Sequence, residues 1–194
     1  MLERHGPAAP PDTRTRILDA AERIVRARGV SALTLEAAAR EAGISKGGLL
    51  YHFAAKEALL AGLLNRLADG VAAEFEEVLD AQPPHPARHT RAVLAWIFDK
   101  PDEVCEQHRR AAAVFLAAFH HDPALLDPIR RVFASIRDRL RQDRLPPGHA
   151  LVVMAAGDGL FMGQLFGMYE SIPEELQAQR AALETLLAPA GDVA

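Results

Sequence analysis

Cysteine is nearly absent: Cys105 is the single one in 194 residues. That excludes an intramolecular disulfide framework and fits a reducing cytoplasm. An export signal is missing too. Met1 to Pro11 is short, proline-rich and without an apolar run, so residues 1–12 read as a flexible leader. No convincing run of alternating β-branched residues appears, which leaves little basis for a sheet. Eight histidines are present, but no Glu-x-x-His or His-Glu-x-x-His pattern is. His85 and His89 straddle Pro86, Cys105 and His108 stand one turn apart, and His120-His121-Asp122 ends a helical segment. None of these makes a complete ligand set, so no metal and no cofactor is expected. Nothing marks Cys105 as half of a nucleophile pair, and the glycines of 157–163 lie in an apolar helical pattern unlike a phosphate loop. An enzyme is not expected.

What is present is ordinary in bulk and uneven in placement. Hydrophobic residues make up 49% and charged residues 25%, enough to bury a core without metals or disulfides. The net charge of −4 taken alone argues weakly against nucleic acid. Yet residues 1–56 hold nine Lys and Arg against six Asp and Glu, and the remainder holds thirteen against twenty. A basic opening on an acidic body is expected when only the first part touches a polyanion. Chance over a short window gives the same asymmetry, so charge alone does not decide.

Helical periodicity runs through almost the whole chain. Ile17, Ala20, Ala21, Ile24 and Val25 define a first helix, capped by Asp12 or Thr13 and stopped by Gly29. A second follows Thr34 and ends at Gly43, and a third is capped by Ser45 and ends near Phe53. A long fourth helix runs from about Ala55 to Leu79, with Leu59, Leu60, Leu63, Leu64, Leu67, Val71, Phe75 and Val78 inward. Gln82-Pro83-Pro84-His85-Pro86 is the clearest break. Five further helices are predicted: about Ala87–Phe98, Asp102–Phe119, one with Asp122 as cap and Pro123 in its first turn, about Gly148–Tyr169, and one opening on the capping box Ser171-x-x-Glu174. The reading is all-α, about nine helices, with a head at 13–56 and a body at 57–194.

Three short helices in about forty residues, the last two joined by Ala42-Gly43-Ile44-Ser45, form a helix-turn-helix pattern. Gly43 supplies a turn that other residues resist, Ile44 packs the helices together, and Ser45 caps the second. A helix so presented can lie in the major groove of DNA.

The run from Leu33 through Thr34, Gly43-Ile44-Ser45-Lys46-Gly47-Gly48-Leu49-Leu50-Tyr51-His52-Phe53 and Lys56 to Leu59 closely resembles the DNA-binding signature of the TetR (tetracycline-repressor-like) family. Arg16 to Ala21 and Gly29 resemble its first helix, and the likeness covers residues 13–64. It implies that Thr34 meets a phosphate, that Ser45, Lys46, Gly47 and Gly48 lead the recognition helix, and that Leu50, Tyr51 and His52 reach bases or backbone. By the same likeness Lys56 contacts phosphate, while Leu49 and Phe53 are apolar anchors. Tyr51 and His52 as plain packing residues, and the two lysines as solvated charges, remain the bland alternatives.

Two departures from the family pattern stand out. Ala54-Ala55 replaces the usual Pro-Ser, losing a cap side chain at about 0.5–2 kcal/mol. Gly47-Gly48 removes two side chains from the leading turn, so few direct base contacts and a large phosphate share are expected. Two glycines there also let the backbone approach the groove closely, at a cost in helix propensity.

In the body, Ala150 to Tyr169 is apolar almost all round. Asp158 near its middle and the lack of a basic flank argue against a membrane span. Gly159, Gly163 and Gly167 recur every four residues, a stripe where another helix can come close. The resemblance implies that the last two helices, with Leu183 and Leu187, form a homodimer interface whose two heads read a pseudo-palindromic operator in double-stranded DNA. Packing of that stripe within one chain is the alternative. Trp96, Phe115, Phe119, Met154, Asp158, Phe161 and Met162, with Phe166, are candidates to line a pocket for an unidentified small-molecule effector. Residue by residue, such aromatics are more often core, and Asp158 pairs equally well with an arginine. Expected overall is a ligand-responsive regulator, most simply a repressor. A metal-responsive sensor of the same fold and a helical protein-interaction adaptor remain alternatives.

Overall fold

Capping side chains punctuate the first sixty residues. The computed structural model describes residues 12–99, 122–168 and 172–187; among them are eight α-helices and no strand. Helix α1 (Thr13–Arg28) starts where Asp12 Oδ1 accepts the Thr15 amide at 2.6 Å. Helix α2 (Leu35–Ala42) starts where Thr34 Oγ1 accepts the Ala37 amide at 3.0 Å. It ends at Gly43, left-handed at φ 67°, with the Ile44 amide returning to the Ala39 carbonyl at 3.0 Å. That is the closure a glycine permits without steric strain. Helix α3 (Lys46–His52) begins at Ser45, whose Oγ accepts the Gly48 amide at 3.0 Å. Each cap supplies an acceptor to an amide that the helix itself cannot satisfy.

Residues 12–64 with 122–125 form one unit, and 65–99 with 126–168 and 172–187 form another; helix α4 (Lys56–Asp80) contributes to both. The head's interior is lined by Ile17, Leu18, Ile24, Leu33, Leu49, Phe53, Leu59 and Leu60, all buried. Burying each large apolar side chain contributes about 1.5–3 kcal/mol.

The body is built from the rest of α4 with α5 (Arg88–Phe98), α6 (Asp127–Leu140), α7 (His149–Leu165) and α8 (Pro173–Glu184). Phe75, Leu79, Val93, Leu94, Ile136, Leu140, Val153, Met154 and Leu183 share one core, with Trp96, Phe133 and Leu187 packed against it. Helices α5 and α7 come close because Gly157 has no side chain. A Cβ there would stand 2.5 Å from Ile97 Cδ1.

Three helix boundaries differ from the sequence expectation. Pro123–Leu126 forms a 3-10 turn, and the α-helix begins only at Asp127. Asp122 does cap, accepting the Ala124 amide at 2.9 Å. However, Pro128 has no N–H to donate to the Ala124 carbonyl, and its ring crowds that oxygen, so the earlier turn cannot be α-helical. Helix α7 stops at Leu165 rather than Tyr169, because Gly167 turns left-handed at φ 60° and the Met168 amide closes on the Gly163 carbonyl. Helix α8 is entered from Ile172 with Pro173 in its first turn and no side-chain cap. The expected Ser171 capping box, like the helix expected at Asp102–Phe119, lies outside the described residues.

Candidate nucleic-acid interface and body cavity

Helix α3 has one face in the core and the other in solvent. Leu49 and Phe53 anchor it from within, while Lys46, Gly47, Leu50 and Tyr51 are exposed, Tyr51 to 87%. His52 is half-buried and meets the Tyr51 ring edge-on, centroids 5.1 Å apart. Thr34 and Ser45 use their oxygens as caps, which leaves each hydroxyl proton for a second partner. Lys46 is ion-paired with Glu36 of α2. Lys56 Nζ donates to the Val30 carbonyl at 2.9 Å, bracing the 3-10 turn Val30–Ala32. Arg16 donates to the Ala42 carbonyl at 2.9 Å, so α1 holds the end of α2 in place. Thus the structure brings Thr34, Ser45, Lys46, Gly47, Gly48, Leu50, Tyr51, His52 and Lys56 together in one small head. It adds Glu36, which sequence reasoning passed over, and gives Arg16, which the resemblance placed only within the first helix, a partner on α2. Their signal was weak, since ordinary charges on α1 and α2 gain meaning only from the partners that the fold supplies.

The body candidates are scattered. Trp96 is half-buried against the core, its ring 6.0 Å from Phe75 and 6.4 Å from Phe133. Met154 is buried in the same core, and so is Leu183, with Leu187 packed against it. Phe161, Met162 and Phe166 are exposed on α7 and its end. Asp158 is open to solvent on one side, yet burial on the other pushes its carboxyl above the ordinary range, and Arg137 opposes that push. Gly159 is exposed, Gly163 is buried, and Gly167 lies past the helix end. Phe115 and Phe119 lie outside the described residues.

A cavity of about 290 Å³ opens elsewhere, between α4 and α6. Its floor includes Ala68, Ala72, Phe75 and Ile136, and its rim includes Asp69, Glu76, Arg131 and Arg139. Arg139 is already committed to Glu76, donating from Nη1 to Oε2 at 2.8 Å, which holds the Glu76 carboxyl below its ordinary range. Of the described body residues expected to meet an effector, Trp96, Met154, Asp158, Phe161 and Met162, none lines this cavity. The signal for it was the small stripe Ala68-Ala72 beside Phe75, legible as a place where facing side chains leave space. No group of three or more potential metal ligands occurs among the described residues, and no described helix is long and apolar enough to cross a membrane.

An exposed helix-turn-helix with a basic leading residue, carried by a separate helical body, defines the class: a helix-turn-helix DNA-binding protein. Comparison makes the class particular. Residues 17–63 match the model for bacterial regulatory proteins of the tetR family, and residues 87–188 match the tetracyclin repressor-like C-terminal domain. The chain is 30% identical over 177 residues to the HTH-type transcriptional regulator TtgR of Pseudomonas putida, covering 89% of this chain and 74% of that one. It is similar in structure to the multidrug binding protein EbrR crystallised with imidazole (TM-score 0.60, 27% identity, covering 94% of this chain and 99% of that one). It also shares its fold with the regulator SCO7518 of Streptomyces coelicolor A3(2) (TM-score 0.69, 23% identity, 92% and 99% covered). The chain belongs to the TetR family of DNA-binding transcriptional regulators.

Proposed function

We propose that this regulator acts in the cytoplasm as a homodimer that represses by binding a pseudo-palindromic operator, and that a small molecule in the body releases it. The observation that carries the DNA surface is the exposed face of α3 from Lys46 to Tyr51, flanked by the capping hydroxyls of Thr34 and Ser45. Gly47 supports it further. A Cβ there would meet nothing nearer than Ser45 Oγ at 4.0 Å, so the fold itself does not require glycine. The missing side chain, in this reading, leaves room for a groove wall approaching from outside. In this reading Ser45, Lys46, Gly47, Gly48, Leu50, Tyr51 and His52 face the groove and Thr34 a phosphate, while Lys56 braces the head as well as meeting the backbone.

The dimer reading rests on Val152, Ala155, Gly159, Met162 and Phe166, which recur at alternating three- and four-residue steps and are all exposed in the single chain. Such a seam suits a second helix. The effector reading rests on the cavity between α4 and α6, and the EbrR likeness supports a small-molecule occupant. Ligand and operator must prefer different states by about 1–3 kcal/mol for release to follow. The test is binding of full-length protein to the intergenic DNA beside its own gene, with and without Lys46→Ala/Tyr51→Ala. Selective binding lost in the double variant supports the reading. Binding no better than to random DNA, there and across genomic fragments, refutes it.

A further inference from the structure

The exposed face of α3 holds few groups able to hydrogen-bond a base edge. Lys46, Gly47, Leu50 and Tyr51 share that face at helical spacing. Gly47 has no side chain, and Lys46, the only lysine or arginine on α3, is paired with Glu36. Ser45, just before the helix, already spends its oxygen on the Gly48 amide. Leu50 is different. It is the one aliphatic hydrocarbon side chain on the face, 41% exposed, while its neighbour Leu49 is buried in the head's interior. We propose that Leu50 is a specificity-determining residue that reads the C5-methyl group of a thymine in each operator half-site. This rests on the reading of α3 as the DNA-facing surface.

An aliphatic side chain in the major groove covers one of two kinds of surface. Base-edge carbonyls, ring nitrogens and amino groups lose water against it and gain no hydrogen bond, which is unfavourable. The thymine methyl is the apolar group of the groove floor, and cytosine carries only a hydrogen at the same ring position. Leu50 therefore distinguishes sequences by what it covers, whereas a contact to phosphate is the same on every sequence. Helix geometry places the contact. Side chains on an α-helix lean toward its N-terminus, so Leu50 overlies the patch beside Gly47, three residues earlier. That patch is open: even a Cβ at Gly47 would meet nothing nearer than Ser45 Oγ at 4.0 Å. No side chain at Gly47 stands between Leu50 and an approaching methyl group.

The experiment uses the full-length protein and an operator selected with it from genomic fragments. Each thymine is replaced in turn by deoxyuridine, which removes the methyl group and keeps every hydrogen-bonding group. One thymine per half-site is expected to matter. Its loss should weaken binding about fourfold, and about fifteenfold when made in both half-sites, as burial of one carbon each implies. The salt slope should not change, because no phosphate contact is lost. Leu50→Ala should bind the thymine and deoxyuridine duplexes equally, with melting that shows it folded; Leu50→Gln gives the same comparison if the alanine variant melts early. The scan with the unsubstituted protein is decisive by itself, since an operator on which no thymine methyl matters overturns the proposal. A methyl effect undiminished in the folded variant overturns it too, and assigns the methyl to another residue. Failure of the unsubstituted protein to select any fragment would instead refute the DNA-facing reading itself.

Discussion

Asp143 Oδ2 accepts both the amide and the hydroxyl of Thr90, each at 2.7 Å. Its other oxygen takes the His89 amide at 3.2 Å and the His89 ring Nδ1 at 2.8 Å. Helix α5 has Ala87 at its N-cap position, with no side chain able to cap, so a residue from beyond α6 performs the task. The Asp143 side chain is 3% exposed, and removing it would leave buried donors without partners. Asp143→Ala should destabilise the body by about 2–4 kcal/mol. Chemical denaturation checks this, and a loss within ~0.5 kcal/mol would show that water replaces the carboxylate.

Gly157 predicts a steric coupling. Gly157→Ala places a methyl group against Ile97 Cδ1 and Cγ1, where 2.5 and 2.7 Å separate them from its ideal position. Overpacking of this kind costs about 1–3 kcal/mol, less the gain in helix propensity from alanine. Shortening the neighbour should relieve it, so Gly157→Ala/Ile97→Ala is expected to be more stable than the two single changes sum to. Strict additivity would mean that α5 and α7 part without strain.

Two carboxylates predict opposite pH responses. Glu76 is held low by the Arg139 hydrogen bond, so its contribution is present above the ordinary glutamate range and is lost as pH falls through its depressed folded value. Asp158 is pushed up by burial, so the folded chain binds protons more readily than the unfolded one, and stability falls as pH rises through the interval just above the ordinary aspartate range. Asp158→Asn should therefore stabilise the protein at neutral pH, with the gain vanishing in acid. Denaturation midpoints at several pH values give the sign, and a destabilised Asn variant would place Asp158 in a favourable ionised contact.

The exposed seam of α7 predicts assembly. Val152→Glu with Phe166→Glu puts charge on two of its exposed apolar positions. Sedimentation should show the unsubstituted protein as a dimer and this variant as a monomer with a folded body. A dimer that persists would place the interface elsewhere.

Much of the head was legible because its signals are local. Asp12, Thr34 and Ser45 cap amides three residues away, and Gly43 closes a turn within one helix end, so short-range chemistry alone sets those boundaries. The inward stripe of α4 follows from period in the same way. The body's detail was not legible. Trp96, Met154, Phe161 and Met162 are equally apolar in sequence, and only packing sends Met154 into the core, Trp96 against it and the last two to the surface. Gly157, rather than the Gly159-Gly163-Gly167 stripe, became the crossing point of α5 and α7, because Ile97 happens to meet it.

What the sequence by itself determined is therefore the all-α class, the helix-turn-helix and the identity of its exposed leading turn. These depend on caps, turns and periods that act within a few residues. Only the tertiary structure decided that Asp143 caps α5, that Glu36 holds Lys46, and that a cavity lies between α4 and α6. Each of these joins residues on separate elements, and a pairing that chain order leaves open is chosen by which faces the core draws together.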